Sequence, residues 1–213
     1  MSELRITQAH ARAAVVGGCV LGGGGGGSVE FGMRLAAQAT QAGPLTLLSQ
    51  DELDGQAILF NVSAVGAPSA KEAFASPEDY RSTIENLARF TGRSPAGIVT
   101  NEMGGLATVN GWLQSAETGI PIVDLPSNGR AHPTGVMGAM GLHRDKDYLS
   151  VQAAAGGDPA QGRHIELVVS ASLSSASQMV RQAAVCAGGM VAVARNPVSV
   201  AYARENAAPG AVL

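Results

Sequence analysis

Short apolar segments alternate with helix-forming segments through the middle of the chain. Residues 57–65, 96–100 and 120–124 have the composition of buried strands, and residues 77–90 and 106–118 have the apolar spacing of amphipathic helices. Strands that alternate with helices of this length predict βαβ units and a mainly parallel sheet. Parallel strands are covered on both faces, which agrees with the continuous apolar runs. We therefore expect an α/β fold with flanking helices.

The pattern changes after residue 124. Residues 126–140 are rich in Gly, Pro and Asn and show no periodicity. Beyond them the sequence predicts a strand hairpin, a helix, a strand and a final helix, at residues 147–171, 172–187, 190–194 and 198–207. Because no shift in composition marks a second unit, we expect residues 1–213 to form one domain.

Composition excludes several classes of protein. The chain has 213 residues, of which 46% are hydrophobic and 15% charged, so it is too apolar to be disordered. Its net charge of -3 argues against a nucleic-acid binder, and no apolar run reaches the ~18 residues that span a membrane. Cys19 and Cys186 form no disulfide framework, which predicts a cytoplasmic protein with reduced thiols. The apolar composition also predicts a homo- or hetero-oligomer.

Six consecutive glycines, Gly22–Gly27, precede Ser28, which can cap a helix. Glycine lets a backbone approach a ligand closely, and free N–H groups near a helix N-terminus can bind an anion. The alternative interpretation is a mobile linker. We interpret the run as part of a substrate site and take Gly24 and Gly25 as its contacts.

Two carboxylates follow predicted strands. Glu102 comes after the strand at 96–100, and Asp124 ends the strand at 120–124. Ligands of open parallel sheets bind at the carboxyl ends of the strands, so both acids are candidate catalytic groups. The alternative is that each caps a turn or a helix. Gly104 and Gly105 would let a substrate approach the backbone, and their amides could stabilise an oxyanion.

The irregular loop that follows carries Arg130 and His132. Arg130 suits a carboxylate or phosphate, and His132 can act as an acid, a base or a metal ligand. The alternative is an arginine in solvent and a locally bonded histidine. Asp124 and His132 could also bind one divalent ion such as zinc, although no compact ligand motif is present.

Five short motifs occur in an order that resembles a known family, the S-methyl-thiohydantoin desulfurase-like (hydantoinase-like) proteins. The resemblance covers nearly the whole chain. The motifs are the glycine run, Gly66-Ala67-Pro68, Glu102-Met103-Gly104-Gly105, Pro121-Ile122-Val123-Asp124 and Gly129-Arg130-Ala131-His132-Pro133. The resemblance implies that Glu102, Asp124 and His132 are catalytic, and that Gly66, Gly104, Gly105 and Arg130 bind substrate.

The resemblance also implies an N-terminal α/β domain followed by a smaller β-rich domain. The chain ends at residue 213, about where that second domain would begin, so we expect the chain to lack it. Residues that follow two motifs depart from the family pattern: Leu106 and Ala107 after the glycine pair, and Leu125-Pro126-Ser127 after Asp124.

Three functions remain open from the sequence. The resemblance favours an enzyme or catalytic subunit that hydrolyses or desulfurises a small cyclic amide or thioamide, such as a hydantoin or thiohydantoin. The second is a non-catalytic or substrate-binding subunit of a hetero-oligomer, whose partner supplies the missing β-domain. The third is a binding or regulatory module that uses the glycine run to bind an anion.

Overall fold

An eight-stranded sheet forms the centre of the molecule, in the order β1-β2-β5-β4-β3-β8-β6-β7. The structure is a computed structural model that describes residues 3–67, 70–132 and 139–212. The strands of these residues are β1 Glu3–Arg5, β2 Thr46–Leu48, β3 Ile58–Gly66, β4 Gly97–Thr100, β5 Ile122–Val123, β6 Leu149–Gly156, β7 Ile165–Ser172 and β8 Met190–Ser199. The helices are α1 Gln8–Leu21, α2 Val29–Ala42, α3 Pro77–Thr91, α4 Trp112–Thr118, α5 Leu173–Cys186 and α6 Val200–Asn206.

The sheet is mixed, which corrects the expectation of a mainly parallel one. Strands β2, β5, β4 and β3 are parallel to one another, as the βαβ pattern predicts, whereas the edge strand β1 is antiparallel to β2. The β6–β7 hairpin joins the same sheet through β8, and β8 pairs antiparallel with both β3 and β6. The hairpin was expected, but nothing in its sequence shows that it extends the parallel strands. The α/β class is confirmed.

Most predicted elements are present with small shifts in their ends. Ser76 and Asp79 form a capping box at the start of α3, and Pro77 occupies its first turn. The predicted helix at 106–118 is broken, however, because Gly111 has φ +92° and cannot continue a helix. β8 is longer than expected, ten residues instead of five, and takes in Arg195.

Helices cover both faces of the sheet. On one face, α1, α2 and α4 pack over the edge of the sheet around Trp112, and α3 packs on Phe60 and Ile98. On the other face, α5 packs on Val191 and Val193, and α6 joins the layer around Leu59. These three layers bury the apolar runs on both sides, as expected for an α/β unit.

Helix α1 lies close to the segment after β4 because it has glycine at one contact. A methyl group at Gly18 would lie 2.0 Å from Thr108 Oγ1 and 2.7 Å from the Gly104 carbonyl oxygen. The adjacent Gly17 has no atom of another segment within 4 Å of the same position. The two neighbouring glycines therefore differ in role, although both lie inside one helix.

We expect Gly18→Ala to lower the free energy of unfolding by about 1–3 kcal/mol, because the new methyl group has no room. Gly17→Ala is the matched control, and should stabilise the protein by about 0.5–1 kcal/mol through helix propensity. Urea denaturation of both variants measures the difference. Equal effects of the two substitutions would contradict the close packing of α1.

Candidate functional site

A polar cleft of about 390 Å³ lies beneath α5, beside the end of β4. It is lined by side chains from β3, β6, β8, α5 and the loops after β4 and β5, among them Ser63, Glu102, His132, Gln152, Arg181 and Arg195. A smaller cleft of about 190 Å³ shares Glu102 with it and reaches Gly26 and Gly27. Glu102 therefore stands where the two clefts meet.

Glu102 is the acid of this cleft. It follows β4 in the chain and is partly buried, and its Oε2 accepts a hydrogen bond from the backbone N–H of His132 at 2.8 Å. Burial raises the pKa of the Glu102 carboxyl above its ordinary value, while the His132 hydrogen bond and the charge of Arg195 oppose part of that rise. A carboxyl group that keeps its proton to higher pH is suited to proton transfer near neutral pH.

Arg195 is the cation of the cleft, and the sequence analysis missed it. The residue lies in β8 and is only 4% exposed. Burial lowers the pKa of Arg195 to about 10, and the negative charge of Glu102 opposes that shift, so the guanidinium remains protonated at neutral pH. The available signal was a single charged residue directly after the apolar run 190–194.

A bulge in β8 determines which way Arg195 points. Arg195 pairs with Asn61 of β3, and Val198 pairs with Leu59, so three steps along β8 match two along β3. Asn196 occupies the extra position with φ +48°, and its Oδ1 accepts a hydrogen bond from Ser150 Oγ at 2.7 Å. Bulges of this kind re-aim side chains. Here the bulge lets Arg195 and Val198 point to the same face.

Polar side chains lie in a row across three adjacent strands, β3, β8 and β6. Asn61, Arg195 and Gln152 are direct register partners in β3, β8 and β6, and all three are buried. Residues paired in this way share a face of the sheet. Buried oxygens of Asn61, Gln152 and the neighbouring Ser63 have no hydrogen-bond partner among the described residues. Buried polar atoms normally have hydrogen-bond partners, and a polar ligand in the cleft would provide them for these oxygens.

Asp124 directly follows β5, the strand next to β4, but does not line either cleft. β4 and β5 are parallel neighbours, so the two acids follow strands at the same edge, as predicted. Asp124 is buried, and its Oδ1 accepts a hydrogen bond from the backbone N–H of Val212 at 2.8 Å. Its carboxylate thus holds the segment near residue 212, and a catalytic role for it stays a prediction.

Arg130 is exposed and lies beside the glycine run. One of its guanidinium nitrogens is 3.7 Å from the position that a methyl group at Gly23 would occupy. Arg130 is not among the residues that line the two clefts described around Glu102. Its neighbour in the motif, His132, does line the larger cleft. The loop therefore brings His132 to Glu102 and leaves Arg130 at the surface.

The glycines of the predicted site mainly allow close packing of the backbone. Gly104 and Gly105 pack against the glycine run, where methyl groups would lie 2.5 Å from the Gly26 Cα and 2.8 Å from the Gly27 carbonyl oxygen. The Gly104 amide donates to Thr108 Oγ1 at 3.0 Å. Gly66, at the end of β3, lines both clefts. Gly24 and Gly25 lie in the same run but line neither cleft, where Gly26 and Gly27 stand instead.

The predicted metal site has no support from the described residues. Within residues 3–67, 70–132 and 139–212, no three His, Cys, Asp or Glu side chains come together as a possible metal site. Asp124 and His132 are therefore not joined by a third ligand there, and no step below uses a metal ion. Pro68 and Pro133, which complete two of the sequence motifs, lie outside the described residues.

Comparison with known proteins identifies the family. The model of the S-Me-THD-like N-terminal domain matches residues 10–160, well over half of the chain. The chain belongs to the S-Me-THD-like family. This confirms the resemblance predicted from the five motifs. The S-Me-THD-like match includes Glu102 and His132, whereas Arg195 lies beyond the matched residues.

A solved structure supports the fold. A protein from Chromobacterium violaceum, determined by X-ray crystallography in a structural genomics programme, superposes with a TM-score of 0.76 at 21% sequence identity. The alignment covers 98% of this chain and 59% of the other, so the chain spans less than two thirds of that protein. A search of curated proteins finds no significant match. None of the helices in the described part of the chain is long and apolar enough to cross a membrane.

The raised pKa of Glu102 predicts how stability depends on pH. Below the ordinary pKa of a glutamate, folded and unfolded chains both hold the proton. As the pH rises towards the raised folded-state pKa, the unfolded chain loses its proton while the folded chain must keep it or bury a charge, so stability falls.

Glu102→Gln cannot ionise but can still accept the His132 hydrogen bond. We therefore expect this variant to unfold at a higher temperature than the wild type at about pH 7–8, with the difference closing near about pH 4. Thermal unfolding across this range measures the gap. A gap that widens towards acid pH would mean that the pKa of Glu102 is lowered rather than raised.

Proposed function

We propose that the chain is an enzyme, or a catalytic subunit, that hydrolyses or desulfurises a small cyclic amide or thioamide such as a hydantoin or thiohydantoin. The observation that carries the proposal is the partly buried Glu102 carboxyl, held by the His132 amide in a polar cleft with a raised pKa. Membership of the S-Me-THD-like family supports the ring chemistry. The cleft, at about 390 Å³, is of the size that accepts a small molecule.

Glu102 supplies the proton transfer that such a reaction needs. Its ionised form takes a proton from a water molecule as the water oxygen bonds to a ring carbon. When the C–N or C–S bond of that carbon breaks, the electron pair goes to the leaving nitrogen or sulfur, and the same proton passes to it. Water is thus added across the bond, with no other reactant. Because burial strengthens Glu102 as a base, both transfers can occur near neutral pH.

His132 is the second candidate proton-transfer group. The residue lines the cleft, and its backbone N–H donates a hydrogen bond to Glu102 Oε2 at 2.8 Å. The histidine can protonate the leaving atom while Glu102 activates water, which divides the two transfers between two groups. The hydrogen bond between these residues fixes Glu102 against the loop, so the acid keeps its place when a substrate enters.

Glu102→Gln tests this assignment directly. We expect it to lower kcat for the hydrolysis of a hydantoin or thiohydantoin by about 10²–10⁴-fold, because the amide cannot accept a proton. Glu166→Gln is the matched control, since Glu166 is exposed and bonded to Asn86 outside the cleft. Its kcat should equal that of the wild type. The loss of ring absorbance measures ring opening, and the release of thiol measures desulfurisation.

The pH profile provides a second reading of the same experiment. The wild-type rate should rise with the ionisation of Glu102, at a pH above the ordinary range of a glutamate. Glu102→Gln should lose this limb of the profile. Full turnover in Glu102→Gln on every ring tested would refute the catalytic role of Glu102.

A further inference from the structure

Arg195 is a buried cation in direct contact with no neutralising group among the residues that the structure describes. It is 4% exposed, and none of the described residues forms a hydrogen bond or an ion pair with its guanidinium. Arg204 differs, because it donates to the carbonyl oxygens of Gln50 and Leu53 at 2.7 and 3.0 Å. An ion without a close partner is expensive to bury. A ligand with a negatively charged group could therefore supply the partner that the Arg195 guanidinium lacks among the described residues.

The groups around Arg195 point to the same conclusion. Gln152, its register partner in β6, has a buried oxygen without a hydrogen-bond partner among the described residues, and so does Ser177 on α5. Both side chains line the cleft with Arg195. The site thus combines a planar cation with polar groups that have unused hydrogen-bonding capacity. Such a site is suited to a ligand whose oxygen atoms can accept and share these hydrogen bonds.

The charge of the cleft favours an anion. Arg181 also lines it, from the exposed side of α5, and makes no ion pair among the described residues. Two arginines therefore face one carboxyl group, Glu102, across a volume of about 390 Å³. Excess positive charge in a cleft attracts anions and raises their local concentration. Arg181, which is exposed, would draw the anion in, and Arg195 would bind it at depth.

We propose that Arg195 binds a carboxylate on the ligand, so that the ligand class of this cleft is a small ring carrying a negative charge rather than a neutral ring. This rests on the proposed function and narrows it. A guanidinium binds a carboxylate through two parallel hydrogen bonds, which fixes the orientation of the ring as well as its affinity. With the carboxylate on Arg195, the ring lies towards Glu102 at the end of β4. The bulge at Asn196 determines the face of the sheet from which Arg195 projects.

The first test measures stability without any ligand. Arg195→Met keeps most of the side-chain volume and removes a buried charge that has no ion pair among the described residues, so its melting temperature should equal or exceed that of the wild type. Arg204→Met is the matched control, and should melt at a lower temperature because two carbonyl groups lose their donor. If Arg195→Met is destabilised as much as Arg204→Met, Arg195 is a structural residue and the proposal is wrong.

The second test measures binding by calorimetry with two probes of the same shape, hydantoin-5-acetate and the neutral hydantoin-5-acetamide. The wild type should bind the acid about 10–100-fold more tightly, the range expected for a charge-assisted contact. Arg195→Met should lose this preference while keeping its affinity for the amide, and Arg195→Lys should keep part of it. Equal affinity of the wild type for both probes overturns the proposal, as does binding of neither.

These outcomes separate the two proposals. Hydrolysis of neutral and charged rings at equal rates, with no dependence on Arg195, would leave the enzymatic function and remove the charge preference. Arg195-dependent binding of the acid without turnover would leave the carboxylate site and remove the enzymatic function. Inorganic phosphate is the third probe, and stronger Arg195-dependent binding of phosphate than of the acid would contradict a carboxylate ligand.

Discussion

The pairing of β8 with both β3 and β6 joins the two parts of this fold. Without it, the parallel strands and the β6–β7 hairpin would form separate sheets, and no cleft would exist between them. β8 runs antiparallel to both neighbours and places Arg195 between Asn61 and Gln152. Residues 192–195 of β8 have partners on both sides, so the position of the Arg195 side chain in the sheet is well determined. β8 thereby contributes the buried Arg195 to the lining of the cleft.

Opposite charges in the cleft lie close enough to influence each other without forming an ion pair. Arg195 and Glu102 affect one another's ionisation, yet the described residues show no direct contact between them. A direct pair would satisfy both groups and leave little for a ligand to gain. In the function proposed above, their separation keeps Arg195 available to bind a ligand and Glu102 available to transfer a proton. On that proposal the site loses stability in favour of function, a common pattern in enzymes.

The sequence predicted the α/β class, most of the helices and strands, and one edge of the site. Glu102 was found because it directly follows an apolar strand, and His132 because the loop after the next strand carries it. Both signals are local in the sequence. Asp124 gave the same signal as Glu102, but its side chain bonds to the backbone of Val212, 88 residues further along. That contact depends on the path of the chain, which periodicity does not encode. The predicted metal ion, oligomer, separate subunit and cellular location stay predictions.

Arg195 could not be assigned in this way because its role depends on a long-range pairing. Its neighbours Asn61 and Gln152 are 134 and 43 residues away in sequence, and they meet it only once β8 enters the sheet between β3 and β6. The sequence pattern predicted that the strand ends at residue 194, which left Arg195 in the short connection before the final helix. The bulge at Asn196 could not be predicted either, because the sequence Asn196-Pro197 is equally typical of a turn.

The bulge restricts how β8 can change during evolution. Arg195 and Val198 point to one face of the sheet only because one additional residue separates them. Loss of a residue between them would turn the side chains on one side of the deletion to the opposite face of the sheet. Either the Arg195 guanidinium would then enter the apolar layer around Phe60, or Val198 would leave the apolar layer around Leu59. Insertions and deletions should therefore be rare between positions 195 and 198 in functional homologues, whereas substitutions that preserve the count are free to accumulate.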